Sequence, residues 1–212
     1  MLDIISATRK MCESESGFVD LFNKEKSYDK LVKLTDDRRG AELLSRLLYG
    51  RARAGLIKLV GDAFEYEKYS KLIKDELIAD GLSPSDAAEA LGIFLRAFGF
   101  PGYRDEFINP IGEFVSYESE KFRTVYKGEM KDGCEYGVGV RHNFYDGDSC
   151  GFDECVWIEG RMLGYCYSSE VEFGAFESKK YGFVLNDCYV GKYMIVHEDG
   201  ECEYMEGVAL RI

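Results

Sequence analysis

Apolar residues in the first half of the chain recur at the spacing of amphipathic helices. The strongest group contains Leu43, Leu44, Leu47 and Leu48. Smaller apolar groups around Phe18 and Leu31 indicate one or two short helices before it, and a similar pattern covers 66–78. This periodicity predicts an all-helical domain over residues 1–105.

Capping residues mark where some of these helices begin and end. Ser83 can accept hydrogen bonds from free backbone N–H groups, and Pro84 suits the first helical position. Gly81 is placed to end the preceding helix. Asp36 and Asp37 form a plausible cap region for the leucine-rich helix. The sequence therefore predicts separate helices joined by short connections.

The second half alternates aromatic or β-branched residues with polar ones, as in Phe122, Thr124 and Tyr126. A period of two is typical of half-buried strands. Three Asp-Gly pairs supply hairpin turns, at 132–133, 146–147 and 199–200. We therefore expect an antiparallel meander over 106–212, and an α+β fold for the whole chain.

Glycines in this half are evenly spaced. Gly128, Gly151 and Gly174 are 23 residues apart, and Gly191 follows after a shorter step of 17. A fixed interval of this length predicts a repeat in which each hairpin needs its neighbours to bury its apolar side chains. The alternative is an unrelated antiparallel sheet or sandwich whose glycines are turn residues.

One segment resembles a known repeat. YKGEMKDG at 126–133, followed by GVG at 137–139, is similar to a MORN (membrane occupation and recognition nexus) repeat, and YVGKY at 189–193 and FGAF at 173–176 match parts of it. Met130 stands where the repeat has an aromatic residue, and Ser149 and Asp153 replace both aromatics of the second unit. The resemblance implies an elongated single-layer sheet with one aromatic and one acidic face, serving as a protein-binding scaffold.

Charge divides the two halves. Residues 1–105 carry 17 Lys+Arg against 18 Asp+Glu, whereas 106–212 carry 10 against 21, a net charge of −11. Such a surface repels nucleic-acid phosphate and anionic lipid. We therefore expect a protein partner with a basic surface, and neither a nucleic acid nor a membrane.

Little in the sequence indicates catalysis or a cofactor. The chain has two histidines and no nucleophile-elbow, zinc-protease or phosphate-loop motif. Its seven cysteines are an odd number without a CxxC pair, and no signal peptide or apolar span is evident. We expect a cytoplasmic protein with reduced thiols that binds no cofactor or metal and is not an enzyme.

Four tyrosines are candidate contact residues, because tyrosine is large, stiff and amphipathic. They are Tyr126, Tyr189, Tyr193 and Tyr204. The sequence does not divide them between core and interface. A helical layer against the sheet would make them core.

Three arginines, Arg39, Arg46 and Arg53, recur at intervals of seven and would share one face of a continuous helix. Gly50 interrupts that segment, so its continuity is open. These arginines form either a solvated face or a patch that docks on the acidic half of the same or another copy.

Three classes of function follow from these patterns. The leading one is a non-enzymatic interaction module or scaffold. The alternative is an acidic inhibitor or immunity-type protein that neutralises a basic enzyme, which predicts strongly salt-dependent association. An enzyme with a site between the two halves is the third class. The open edges of a repeat sheet also allow a homodimer.

Overall fold

The computed structural model describes residues 1–14, 16–104, 108–172 and 176–209, and shows a helical half followed by one antiparallel sheet. The helices are α1 (Ile4–Met11), α2 (Gly17–Leu21), α3 (Lys24–Leu34), α4 (Arg38–Tyr49), α5 (Arg53–Gly61), a 3-10 turn (Ala63–Glu65), α6 (Tyr66–Ala79) and α7 (Pro84–Ala97). The strands are β1 (Ile111–Glu118), β2 (Phe122–Lys131), β3 (Cys134–Tyr145), β4 (Asp148–Ile158), β5 (Arg161–Glu172), β6 (Phe176–Leu185), β7 (Cys188–Val196) and β8 (Cys202–Glu206). The predicted α+β class is confirmed.

The helix boundaries follow from the capping residues. The Ser83 hydroxyl accepts from the backbone N–H of Asp86, and the Asp37 carboxylate accepts from that of Gly40. Each bond satisfies a donor that the first helical turn leaves free. The leucine-rich segment is not continuous, because α4 ends before Gly50 and α5 begins at Arg53.

The strands pair strictly in sequence order, from β1 to β8, and each is antiparallel to its neighbour. Asp132-Gly133 and Asp146-Gly147 form two-residue turns in which both residues have positive φ, as predicted. Glu159-Gly160 and Asn186-Asp187 form turns of the same kind, which the sequence did not reveal. The sheet is therefore a meander with four such two-residue turns among its described connections, whereas Asp199-Gly200 lies in the longer β7–β8 connection between Val196 and Cys202.

The repeat interval in the structure is 27 residues, so the predicted interval of 23 is wrong. The hairpin turns that begin at Asp132, Glu159 and Asn186 are each 27 positions apart. Gly128 lies in the middle of β2 with ordinary φ, whereas Gly151 has φ +145°; Gly174 lies outside the described residues. Evenly spaced glycines thus occupy different structural positions.

The glycines that are equivalent in the structure are Gly137, Gly164 and Gly191. Each lies four positions after the second residue of a turn, and each has positive φ. At Gly164 the sheet backbone touches the helical half, since Tyr165 N donates to the Phe98 carbonyl at 2.8 Å. A Cβ at 164 would collide with that carbonyl oxygen, so only glycine fits this junction.

The helices and one face of the sheet share a single hydrophobic core. Phe18 packs against Phe98 and Phe183, with ring centroids 5.2 Å apart in both pairs. Phe100 packs against Tyr165 at 5.4 Å. The predicted boundary between Asp105 and Glu106 lies outside the described residues, but the two halves on either side of it are joined by this core.

A buried ion pair crosses the same junction. Arg9 of α1 and Glu129 of β2 are 1% and 0% exposed, with 3.4 Å between Nη1 and Oε1. Arg9 also donates to the carbonyls of Ala97 and Arg96, while Glu129 accepts from the backbone N–H of Val138. Burial lowers the pKa of Arg9, and the Glu129 carboxylate opposes this shift.

Candidate interaction surface

The sheet face opposite the helices, here called the open face, carries its own small apolar cluster. In β4, Val156 and Ile158 belong to the core shared with the helices, whereas Cys155 and Trp157 belong to the cluster on the open face. This alternation follows from the pleat of the strand. Aromatic residues therefore lie on both faces, and the expectation of one aromatic and one acidic face is wrong.

Tyr126 and Trp157 are the centre of this cluster. Both are fully buried, and their rings meet edge to face with centroids 5.9 Å apart. Gly128 and Gly139 are paired across β2 and β3, and a Cβ at Gly139 would overlap the Tyr126 ring. The absence of a side chain at these two glycines leaves room for the Tyr126 ring. This explains why the GVG pattern has a glycine at 139.

A groove of about 550 Å³ lies beside the cluster, at the β1 side of the open face. Three aromatic side chains, Phe114, Tyr117 and Phe122, contribute to its lining. The polar and charged members of the lining are Ser116, Thr124, Glu135, Arg141, Asn143, Asp153 and Glu159. Within the part of the chain that the structure describes, no helix packs on this face.

Arg141 forms a rigid part of the groove floor. Its guanidinium lies 4.0 Å from the centroid of the Trp157 ring, which is a cation–π contact. It also donates to the buried carboxylate of Glu135 through two nitrogens and to the Gly160 carbonyl at 2.9 Å. Arg141 and Glu135 thus neutralise each other and are held in one geometry.

A line of polar contacts continues across the open face. Thr124 donates to Asn143 at 3.1 Å, and Asn143 lies 3.4 Å from Asp153 Oδ2. The Ser168 hydroxyl donates to Asp153 Oδ1 at 2.7 Å, and Tyr189 donates to Ser168 at 3.2 Å. These bonds fix the Asp153 carboxylate in place, facing the groove.

Asp153 and Glu159 have no ion-pair partner within the described residues. Arg141 lies opposite Asp153 in the strand register, but its guanidinium is engaged by Glu135. Among the described residues, the groove therefore presents two carboxylates outside any ion pair next to aromatic side chains, and Lys10 attracts Glu159 at longer range.

The four predicted tyrosines occupy different environments. Tyr126 is core, and its hydroxyl donates to the Glu129 carbonyl at 2.8 Å. Tyr189 and Tyr193 are half-buried on the open face and stack on each other, with centroids 4.5 Å apart. Tyr204 is 60% exposed near Phe64 of the helical half. Burial raises the pKa of both Tyr126 and Tyr189.

Replacing Tyr126 by Phe should lower the free energy of unfolding by about 1–3 kcal/mol, because the buried Glu129 carbonyl loses its donor. Urea denaturation monitored by Trp157 fluorescence measures the change. The matched control is Tyr204→Phe, for which we expect a change within about 0.5 kcal/mol because the residue is exposed. Equal effects at both positions would contradict a core role for Tyr126.

The three predicted arginines are not brought together on one face by a continuous helix. Arg39 lies on α4 and pairs with Asp86 and Glu89 of α7, at 2.6 and 2.9 Å. Arg46 is 3.9 Å from Glu42 on the same helix. Arg53 is half-buried at the start of α5. The ion pairs of Arg39 and Arg46 are thus made within the helical half.

Sequence reasoning missed Arg141, Asn143, Asp153 and Trp157 as members of this surface. Arg141 and Asn143 are two positions apart, as are Phe122, Thr124 and Tyr126. The strand pattern could therefore have shown that Arg141 and Asn143 lie on the same face of their strand. The meeting of β1 to β4 in one groove required the register of the sheet.

Cys155, His142 and His197 lie outside the groove lining. Among the described residues, no group of three or more His, Cys, Asp or Glu side chains is placed to hold a metal ion. Cys155 is buried in the open-face cluster, where desolvation raises the pKa of its thiol. His142 packs against Phe152, and His197 lies 3.5 Å from Glu203.

No family model matches the chain, and no curated protein matches it either. The resemblance to MORN repeats therefore stays a prediction. The helices that the structure describes include none with the length and apolar character needed to cross a membrane.

Proposed function

We propose that this protein is a non-enzymatic interaction module that binds a protein partner on the open face of its sheet. The observation that carries the proposal is the groove, which combines aromatic and charged side chains on a floor fixed by the Arg141 contacts. A groove with an ordered floor loses little conformational entropy on binding. Partly exposed aromatic side chains supply the apolar area that protein interfaces use.

The test is to capture proteins from a lysate of the native host on the immobilised wild-type chain and on a Tyr117→Ala variant. Tyr117 is 56% exposed at the groove, so its loss should remove contact area without unfolding the protein. We expect the wild-type partner to be reduced several-fold on the variant. The control is Tyr28→Ala, a 36% exposed tyrosine on α3. Equal capture on all three chains would overturn the proposal.

An acidic inhibitor that binds one basic enzyme is the second candidate. It is favoured by the charge of the sheet half and by the β7–β8 hairpin, where Glu198, Asp199 and Glu201 are exposed. Repeating the capture at low and high salt separates the two functions. One stoichiometric basic partner that is lost at high salt supports the inhibitor, and a salt-resistant complex supports the scaffold.

Self-association is a further proposal that the edge strands support. Ile111 and Tyr117 of β1 are 57% and 56% exposed, and Tyr204 of β8 is 60% exposed. Apolar side chains on edge strands favour pairing with another strand.

A further inference from the structure

We infer that the groove receives a cationic side chain, an arginine or lysine in a basic segment of the protein partner. The inference rests on the proposed function and adds the chemistry of the partner. It follows from three properties of the groove: its lining, its net negative charge and its size.

The lining suits a guanidinium or an ammonium group. Phe114, Tyr117 and Phe122 offer ring surfaces, and Asp153 and Glu159 offer carboxylates in the same groove. A cation gains from the face of an aromatic ring and from a carboxylate at the same time. The contact of Arg141 with Trp157 and Glu135 already shows this combination within the protein itself.

The charge of the groove disfavours an anionic occupant. Arg141 is the cation of the lining, and Glu135 engages it, so the charges left for a ligand are those of Asp153 and Glu159. The surrounding half of the chain carries a net charge of −11, which attracts cations and repels anions over a longer range. An acidic peptide or a nucleic acid would therefore be disfavoured.

The size of the groove points to a peptide segment. A volume of about 550 Å³ is within the range of small-ligand sites and exceeds what a single metal ion or ammonium ion needs. The polar line through Thr124, Asn143 and Asp153 runs across the strands, so an extended segment lying along it would meet amide, hydroxyl and carboxylate groups in succession.

The experiment measures binding of three fluorescein-labelled peptides by fluorescence anisotropy. Each peptide repeats Gly-Ser-X four times, with X as Arg, Gln or Glu. The full-length wild-type chain is compared with the double variant Asp153→Asn, Glu159→Gln. The control double variant, Glu198→Gln, Glu201→Gln, removes the same amount of charge from the exposed β7–β8 turn.

We expect the Arg peptide to bind the wild type and the control double variant with affinities within about twofold of each other. Binding to the Asp153→Asn, Glu159→Gln variant should be about tenfold weaker, since each partly exposed ion pair contributes about 0.7 kcal/mol. Trp157 is the chain's one tryptophan and lies under Arg141, so its indole N–H signal in an NMR titration reports occupation of the groove.

Three results would overturn the inference: equal weakening by both double variants, tighter binding of the Glu peptide with a shift of the Trp157 signal, or no binding of the Arg peptide at millimolar concentration. In each case the effect of Tyr117→Ala on captured partners remains a separate measurement. If that effect persists, the cationic occupant is wrong while the interaction module stands.

Discussion

Replacing Arg9 by Met is expected to lower the free energy of unfolding by about 3–5 kcal/mol. Arg9 and Glu129 are almost completely buried, so the variant leaves the Glu129 carboxylate in a low-dielectric environment without its cation. It also removes the donors to the carbonyls of Ala97 and Arg96. A loss of this size is a large fraction of the stability of a typical domain.

Urea denaturation followed by circular dichroism measures the effect, and a second substitution isolates the charge. In the double variant Arg9→Met, Glu129→Gln, no isolated charge is left, and the single amide oxygen of Gln can accept from either Val138 N or the Asn109 amide, which bond to different Glu129 oxygens. We expect the double variant to lose less stability than the sum of the two single variants. If the losses of unfolding free energy in the two single variants add up to the loss in the double variant, Arg9 and Glu129 do not stabilise each other.

A surface arginine provides the matched control for this experiment. Arg39 also pairs with two carboxylates, Asp86 and Glu89, but its side chain is 63% exposed. Solvent screens such a pair, so Arg39→Met should lower the free energy of unfolding far less than Arg9→Met does. Comparing Arg9→Met with Arg39→Met tests whether burial, and not the number of ion pairs, determines how much each arginine contributes to the free energy of unfolding.

Local patterns in the sequence were sufficient for those helix starts and turns that carry a capping residue or an Asp-Gly pair. The helix that starts after Ser83 and the hairpin at Asp132-Gly133 depend on residues close together in the chain, because caps and tight turns are local hydrogen-bonding problems. The glycine interval failed because glycine is used for several purposes. Gly128 makes room for a ring, whereas Gly137 and Gly164 supply positive φ.

The candidate site could not be predicted because its parts are distant in sequence. Arg9 and Glu129 of the buried ion pair are separated by 120 positions, and no pattern in the sequence links them. The groove needs the register of four strands to bring Tyr117, Arg141 and Asp153 together. Periodicity assigns a side chain to one face of its own strand, but a one-residue change of register would move it to the other face.

Replacing Phe183 by Ala should lower the free energy of unfolding by about 3–5 kcal/mol, because the residue is fully buried and leaves a cavity. Phe183 belongs to β6, and its ring lies 5.2 Å from that of Phe18, 6.0 Å from that of Phe98 and 6.2 Å from that of Phe100. The cavity would therefore open between the sheet and three aromatic residues of the helical half.

The shared core has a consequence that amide hydrogen exchange can measure. If the helices and the sheet unfold as one cooperative unit, Phe183→Ala will speed exchange in α7 and in β4 by similar factors, although the substitution lies in β6. Phe114→Ala is the control, since this half-buried phenylalanine packs on the open-face cluster. In one cooperative unit it should speed exchange in α7 and in β4 by a smaller factor that is the same for both elements. Unchanged protection of α7 in the Phe183→Ala variant would show that the two halves unfold independently.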